Sequence, residues 1–325
     1  MKPFHHVNAS TIEEAINIMK DSNGRAAVIA GGTDLLGVLK DRILPAYPEV
    51  LINIKTIPGL DYIREDDEGL RIGSMVKLVD LAESPLIRKK YTALAEAARA
   101  VGTPQLRNMA TIGGNLCQDT RCWYYRYPHS LGERLLCLRK GSGPCLAVSG
   151  DNRYHAIFGG RKCFAVCPSD TAVALMLLDA ELKTISAAGS RTVPLRDFFN
   201  PLGNALAKDE IILEIRIPDP PENSKQHFIK YTLRKPVDFA VVSVAALVAM
   251  KGGVCSAARI TLGAVAPGPV RATEAEEALK GTRPEATMLE QVAGLAVKGA
   301  KPLSMNGYKV EITRALVARA LAACL

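Results

Sequence analysis

Two glycine pairs constrain this fold more than any other feature. In Val28-Ile29-Ala30-Gly31-Gly32-Thr33-Asp34-Leu35 and in Ala110-Thr111-Ile112-Gly113-Gly114-Asn115, a Gly-Gly turn leads into a helix start. Lacking a Cβ, glycine lets backbone N–H groups approach an anion, Thr33 and Thr111 can add hydroxyls, and a helix start adds partial positive charge. Such turns suit a pyrophosphate. Neither follows G-x-G-x-x-G or G-x-x-x-x-G-K-[ST], which excludes a Rossmann fingerprint and a Walker loop. One Gly-Gly turn alone is usually only a turn, so the pair in context carries the reading.

Periodicity places the turns in a mixed scaffold. Ile12, Ala15, Ile16 and Met19 recur at helical spacing behind Ser10-Thr11, with acidic residues three places after each possible cap. Residues 26–30 and 50–54 read as strands, and residues 60–75 as short strands around Asp66-Asp67-Glu68-Gly69. Residues 78–84 and 91–100 read as helices, and 171–179 as a buried helix capped by Ser169 or Asp170. Asp219-Pro220-Pro221-Glu222-Asn223 combines prolines with a local loss of apolar residues, which marks a domain boundary. Beyond it, residues 228–233, 241–250 and 255–265 are strand-like, and 273–279, 287–297 and 309–323 helical. The chain is expected to be α+β, with no clean βαβ alternation and no solenoid repeat.

Composition narrows the function. With 325 residues, 48% hydrophobic and 23% charged, the sequence supports two or three domains with real cores. No apolar run approaches the roughly 20 residues of a membrane span. The opening Met1-Lys2-Pro3-Phe4-His5-His6 lacks the apolar stretch of a secretory signal, so a cytoplasmic protein is expected. The net charge of +8 comes from scattered Lys and Arg without interleaved aromatics, which argues against nucleic acid and fits an anionic cofactor or an acidic partner.

Six of the eight cysteines, Cys117, Cys122, Cys137, Cys145, Cys163 and Cys167, crowd into one stretch. A disulfide framework belongs to small secreted domains, so metal binding is the better expectation. Fourteen, seven and seventeen residues separate Cys122, Cys137, Cys145 and Cys163, which matches neither a ferredoxin run nor paired C-x₂-C zinc ligands. On spacing alone, an iron–sulfur cluster, zinc and buried unliganded thiols stay open.

Phe4-His5, the segments 30–36 and 107–116, Pro168-Ser169-Asp170, Lys230-Tyr231-Thr232-Leu233-Arg234 and Asp238-Phe239-Ala240-Val241-Val242 together resemble the FAD subunit of the xanthine dehydrogenase (molybdenum hydroxylase) family. The resemblance spans nearly the whole chain in order. It implies two FAD-binding subdomains of the vanillyl-alcohol-oxidase type, residues 1–57 and 58–220, and a C-terminal α/β domain of the CO dehydrogenase flavoprotein type, residues 225–325. It also implies that Val28, Ile29, Ala30, Gly31, Gly32, Thr33, Asp34 and Leu35, with Thr111, Ile112, Gly113, Gly114 and Asn115, wrap the diphosphate and ribityl chain. Gln118 is expected beside the second turn, Asp170 near the adenosine end or ribityl chain, and Lys230 close to the flavin ring, where a cation stabilises reduced flavin. The implied partners are a large molybdopterin subunit and a small [2Fe–2S] subunit, in a heterotrimer or its dimer, with ferredoxin or NAD as external carrier.

Residues 119–162 behave as an insertion in that family. Asn115-Leu116-Cys117-Gln118-Asp119-Thr120-Arg121-Cys122 is similar to the flavin subunits of 4-hydroxybenzoyl-CoA reductases, whose [4Fe–4S] ligands map to Cys122, Cys137, Cys145 and Cys163. This implies a reductase acting on an aromatic thioester. The stretch from Gly150 to Gly159 resembles instead the insert of bacterial aldehyde oxidoreductase flavin subunits, which also carry a cluster; an aldehyde or xanthine dehydrogenase is the alternative. Two readings of other classes are a self-contained flavin oxidase and a zinc-stabilised binding module. Trp123, Tyr124, Tyr125, Tyr154 and His155 are expected to pack the insert rather than bind metal.

Overall fold

A computed structural model describes residues 1–235 and 237–325 of the chain. The first unit comprises β1 (His5–Asn8), α1 (Ile12–Asp21), β2 (Ala26–Ile29), α2 (Leu35–Lys40) and β3 (Val50–Asn53). Thr11 Oγ1 accepts from Glu14 N at 3.1 Å while the Glu14 carboxylate accepts from Ser10 N at 2.7 Å, a capping box that fixes where α1 starts. Strand β3 lies between β1 and β2 and runs parallel to both. Thus β2, α2 and β3, the strand, helix start and strand read from the sequence, form a βαβ unit, although no clean βαβ alternation is expected along the chain.

The second unit begins with β4 (Ile63–Asp66) and β5 (Gly69–Gly73). Short helices follow: α3 (Leu78–Glu83), α4 (Pro85–Lys90), α5 (Thr92–Arg99), α6 (Pro104–Arg107) and α7 (Ile112–Cys117). After the cysteine-rich segment come α8 (Asp170–Leu177), β6 (Glu181–Ser186), β7 (Gly189–Pro194), α9 (Leu195–Phe198), β8 (Phe199–Asn200), β9 (Gly203–Asn204) and β10 (Ile211–Ile217). The main sheet has the order β4-β5-β10-β6-β7, antiparallel throughout. Every residue of α8 is buried, because α5 and α7 cover one side and the next sheet covers the other.

That next sheet, β11 (Ser224–Tyr231), β12 (Val242–Lys251), β13 (Val254–Gly263) and β14 (Val270–Arg271), is also antiparallel. Val244, Val248, Ile260 and Leu262 on it form a core with α10 (Thr273–Leu279), α11 (Ala286–Ala296) and α12 (Tyr308–Ala323). Phe228, Ala245 and Leu247 instead join the core around α8, so the two units share apolar packing. Among the described residues no helix is long and apolar enough to cross a membrane.

One buried carboxylate ties β6, β7 and the approach to β10 together. Glu210 accepts from Arg191 Nε (2.6 Å) and Nη2 (2.7 Å), from Thr184 Oγ1 (2.5 Å) and from Ala207 N (2.7 Å). Burial pushes its carboxyl up, but these donors outweigh burial and hold it at about 2. A pKa depressed on folding gives stability that is complete above the unfolded value, about 4.5, and is lost as pH falls through the folded one. Urea unfolding should therefore show wild type more stable than Glu210→Gln at neutral pH. The difference should shrink as pH falls from about 4.5 towards 2, and a pH-independent difference would count against this assignment.

Candidate functional site

The two Gly-Gly turns border one cavity of about 930 Å³, within the range of cofactor sites. They reach it by direct backbone contact: a Cβ on Gly31 would stand 2.0 Å from Met109 O, and one on Gly113 2.9 Å from Ser74 O. Gly32 adopts φ of 70°, the left-handed region that glycine enters without strain. Val28, Ile29, Ala30, Gly31, Gly32, Thr33, Asp34, Leu35, Thr111, Gly113, Gly114, Asn115, Gln118, Asp170 and Lys230 all line the cavity. Ile112 does not; it is fully buried in the core around α8.

The turns divide their work. In the second, backbone donors are already used: Ile112 N binds Val76 O, Gly113 N binds Ser74 O, Gly114 N binds Thr111 Oγ1 and Asn115 N binds Thr111 O. In the first, the N–H groups of Gly32, Thr33, Asp34 and Leu35 donate to no group among the described residues. The first turn is thus the one with open backbone donors for an anion. Ser74 Oγ, on the same wall, is buried without a hydrogen-bond partner, a polar atom that a bound molecule would satisfy.

Several of these residues also hold the cavity walls together. Asn115 Oδ1 accepts from Ser169 Oγ at 2.6 Å and Thr171 Oγ1 at 2.7 Å, which fixes α7 on α8. Lys230 Nζ donates to Asp170 Oδ2 at 2.7 Å and Ala100 O at 2.9 Å. Burial pushes the Asp170 carboxyl up against the opposing pull of Lys230. Gln118 Nε2 donates to Asn115 O at 2.9 Å. Asp34 leaves α2 without a side-chain cap; its carboxylate accepts from Arg121 Nη2 and Arg126 Nη2, each at 2.9 Å, and from Asp119 N at 2.8 Å.

Those arginines belong to the insert, which an isolated bridge between Arg121 and Val166 closes. Its core is not its own: Tyr125 packs with Val38 and Ile43 beside Cys122 and Cys137. Trp123, Tyr124, Tyr154 and His155 form an aromatic cluster as expected. Cys122, Cys137, Cys145 and Cys163 line a second, small cavity, whereas Cys117 and Cys167 line the large one. No three His, Cys, Asp or Glu side chains among the described residues converge on a single metal ion.

Arg139 and Lys162 line the small cavity, and further cations lie in the same segment. Arg139 Nε lies 3.4 Å from Cys163 Sγ, Lys140 is buried without a carboxylate partner among the described residues, and two nitrogens of Arg134 are buried and unpaired. Residues 119–162 hold eight Lys and Arg against three Asp and Glu, so the charge that reads as scattered is concentrated here. His155 Nε2 lies 3.2 Å from Cys122 Sγ, and burial pulls this imidazole down to about 4, keeping it neutral. Burial also pushes the Cys122 thiol up to about 11, so an empty cavity would keep it protonated and a metal would deprotonate it. Ser74, Arg139 and Glu210 line the large cavity without having been singled out in the sequence; only the three-dimensional meeting of distant segments reveals them.

The chain matches two family models, the FAD binding domain in molybdopterin dehydrogenase over residues 2–220 and the CO dehydrogenase flavoprotein C-terminal domain over residues 227–324. It is 36% identical to the aldehyde oxidoreductase FAD-binding subunit of Escherichia coli strain K12, covering 99% of this chain and 98% of that one. Its fold is similar to a chain of carbon monoxide dehydrogenase from Hydrogenophaga pseudoflava, with a TM-score of 0.80, 27% identity and coverage of 99% and 97%. It is likewise similar to a chain of quinoline 2-oxidoreductase from Pseudomonas putida 86, with a TM-score of 0.78, 25% identity and coverage of 100% and 98%. With both models matched in order and a full-length relative at this identity, the chain belongs to the family of FAD-binding subunits of molybdenum hydroxylases.

Proposed function

We propose that this chain is the FAD- and [4Fe–4S]-carrying electron-transfer subunit of an aldehyde-oxidising molybdenum hydroxylase, working beside a large molybdopterin subunit and a small [2Fe–2S] subunit. The observation that carries the cluster is the meeting of Cys122, Cys137, Cys145 and Cys163, and of no other cysteine, around one cavity also lined by Arg139 and Lys162. Four thiolates bearing a cluster are anionic, and a guanidinium directed at one of the sulfurs suits such an occupant. A zinc-stabilised module is the competing reading for the same four thiols, and iron, acid-labile sulfide and zinc contents separate the two.

For substrate class, the full-length correspondence with an aldehyde oxidoreductase subunit and the resemblance of Gly150–Gly159 to such inserts favour aldehyde oxidation. The aromatic thioester reductase expected from Asn115–Cys122 gives way to it, since that resemblance rests on a short segment. Electrons would then flow from molybdenum on the partner towards the flavin.

FAD, when bound, exchanges electron pairs for single electrons. This chain's residues bind and orient it. The open N–H groups of Gly32, Thr33, Asp34 and Leu35 receive the diphosphate, Ser74 Oγ supplies a further polar contact, and the Asp170–Lys230 pair holds a lysine at the cavity wall.

Two substitutions should separate the sites. Gly114 faces the cavity, and a β-branched side chain there would crowd Thr111 Oγ1, 3.0 Å from the added Cβ. Overpacking costs about 1–3 kcal/mol, so Gly114→Val should bind FAD about tenfold or more weakly with iron unchanged, as read from flavin absorbance and iron assay. Cys145→Ser should do the converse, losing iron and acid-labile sulfide while most FAD stays. Iron at wild-type level in Cys145→Ser would defeat the cluster assignment, and zinc in place of iron in wild type would restore the binding-module reading.

A further inference from the structure

The large and small cavities share only two lining residues, Tyr125 and Arg139, so the partition between them is one side chain thick there. Arg139 is 7% exposed and spends its guanidinium on three separate segments. Nε donates to Cys163 Sγ at 3.4 Å, Nη2 donates to Pro201 O at 3.0 Å, and Nη1 lies 3.7 Å from Asp119 Oδ1. Pro201 sits in the β8–β9 turn, whose Leu202 and Gly203 line the large cavity. Asp119 neutralises Arg139 only in part, because its other oxygen accepts from Tyr125 OH at 2.5 Å and the arginine contact is long.

Resting on the cluster reading above, we infer that Arg139 is a positioning residue that raises the reduction potential of the four-cysteine centre through its N–H···S bond to Cys163. Reduction adds one electron, and hence one negative charge, to that centre, with no bond broken and no proton required at Arg139. A nearby guanidinium stabilises the more negative state, and in a buried setting its field is weakly screened. Arg139 differs from its neighbours here: Lys140 and Arg134 make no hydrogen bond to sulfur among the described residues. The competing account makes Arg139 a staple holding the β8–β9 turn to the insert through Pro201.

The test uses the intact complex in wild-type, Arg139→Lys and Arg139→Gln forms, with iron, sulfide and FAD contents measured first. A reductive titration with dithionite, followed by electron paramagnetic resonance, then gives the midpoint of the centre. The expected result is retained iron in at least one variant and a lower midpoint. At the wild-type midpoint, the ratio of reduced to oxidised centre should fall about tenfold in Arg139→Gln and less in Arg139→Lys. An unchanged midpoint with iron retained overturns the inference, and so does loss of iron in both variants, which would make Arg139 a staple. Wild-type complex containing FAD but no iron would instead defeat the cluster reading, before any variant is compared.

Discussion

The carboxylate of Asp34 is the contact on which the rest of the site depends. It belongs to the first Gly-Gly turn, yet it turns away from its own helix and gathers Arg121, Arg126 and the Asp119 amide. A side chain in a phosphate turn thereby becomes the socket for a segment that starts 85 residues later. Because the acceptor is partly buried, each arginine is held by charge-assisted bonds rather than by a weak surface pair. The insert cannot shift without disturbing the turn that carries the open backbone donors.

The network extends this coupling. From Asp34 it runs through Asp119 to Tyr125 and Arg139, and from Arg139 to Cys163. Tyr125, which lines both cavities, adds an apolar anchor by packing on Val38 and Ile43 of α2 and its following loop. Two sites separated by tens of residues in the sequence are thus one packed, hydrogen-bonded unit.

Much of this was legible in the sequence, for physical reasons. The turns announced themselves because glycine is the residue that permits Gly31 to lie against Met109 O. The buried helix α8 showed as an unbroken apolar run, and β11 to β13 as β-rich stretches between turns. Strands β6, β7 and β10 went unread; Glu181–Ser186 and Gly189–Pro194 mix polar and apolar residues, and β7 lies at the exposed edge of the sheet. Asp34 and Asn115 lie in the turns and line the cavity as expected, and their side chains have a further role, binding protein, that residue type alone does not reveal. Residue type fixes what a group can bind, and only packing decides which partner it meets.

The insert is also stitched to the C-terminal unit. Asn152 Nδ2 donates to Ser304 Oγ, Met305 N donates to Asn152 Oδ1, Asn306 Nδ2 donates to His155 O, and buried Lys309 reaches the His155 and Ala264 carbonyls. His155 in turn touches Cys122 Sγ. Some of the contacts that support the four-cysteine cavity therefore come from residues far beyond the cysteines in the sequence. A truncation before Ser304 would strip Asn152 and His155 of their C-terminal partners and loosen the wall beside Cys122, although every cysteine of that cavity would still be present.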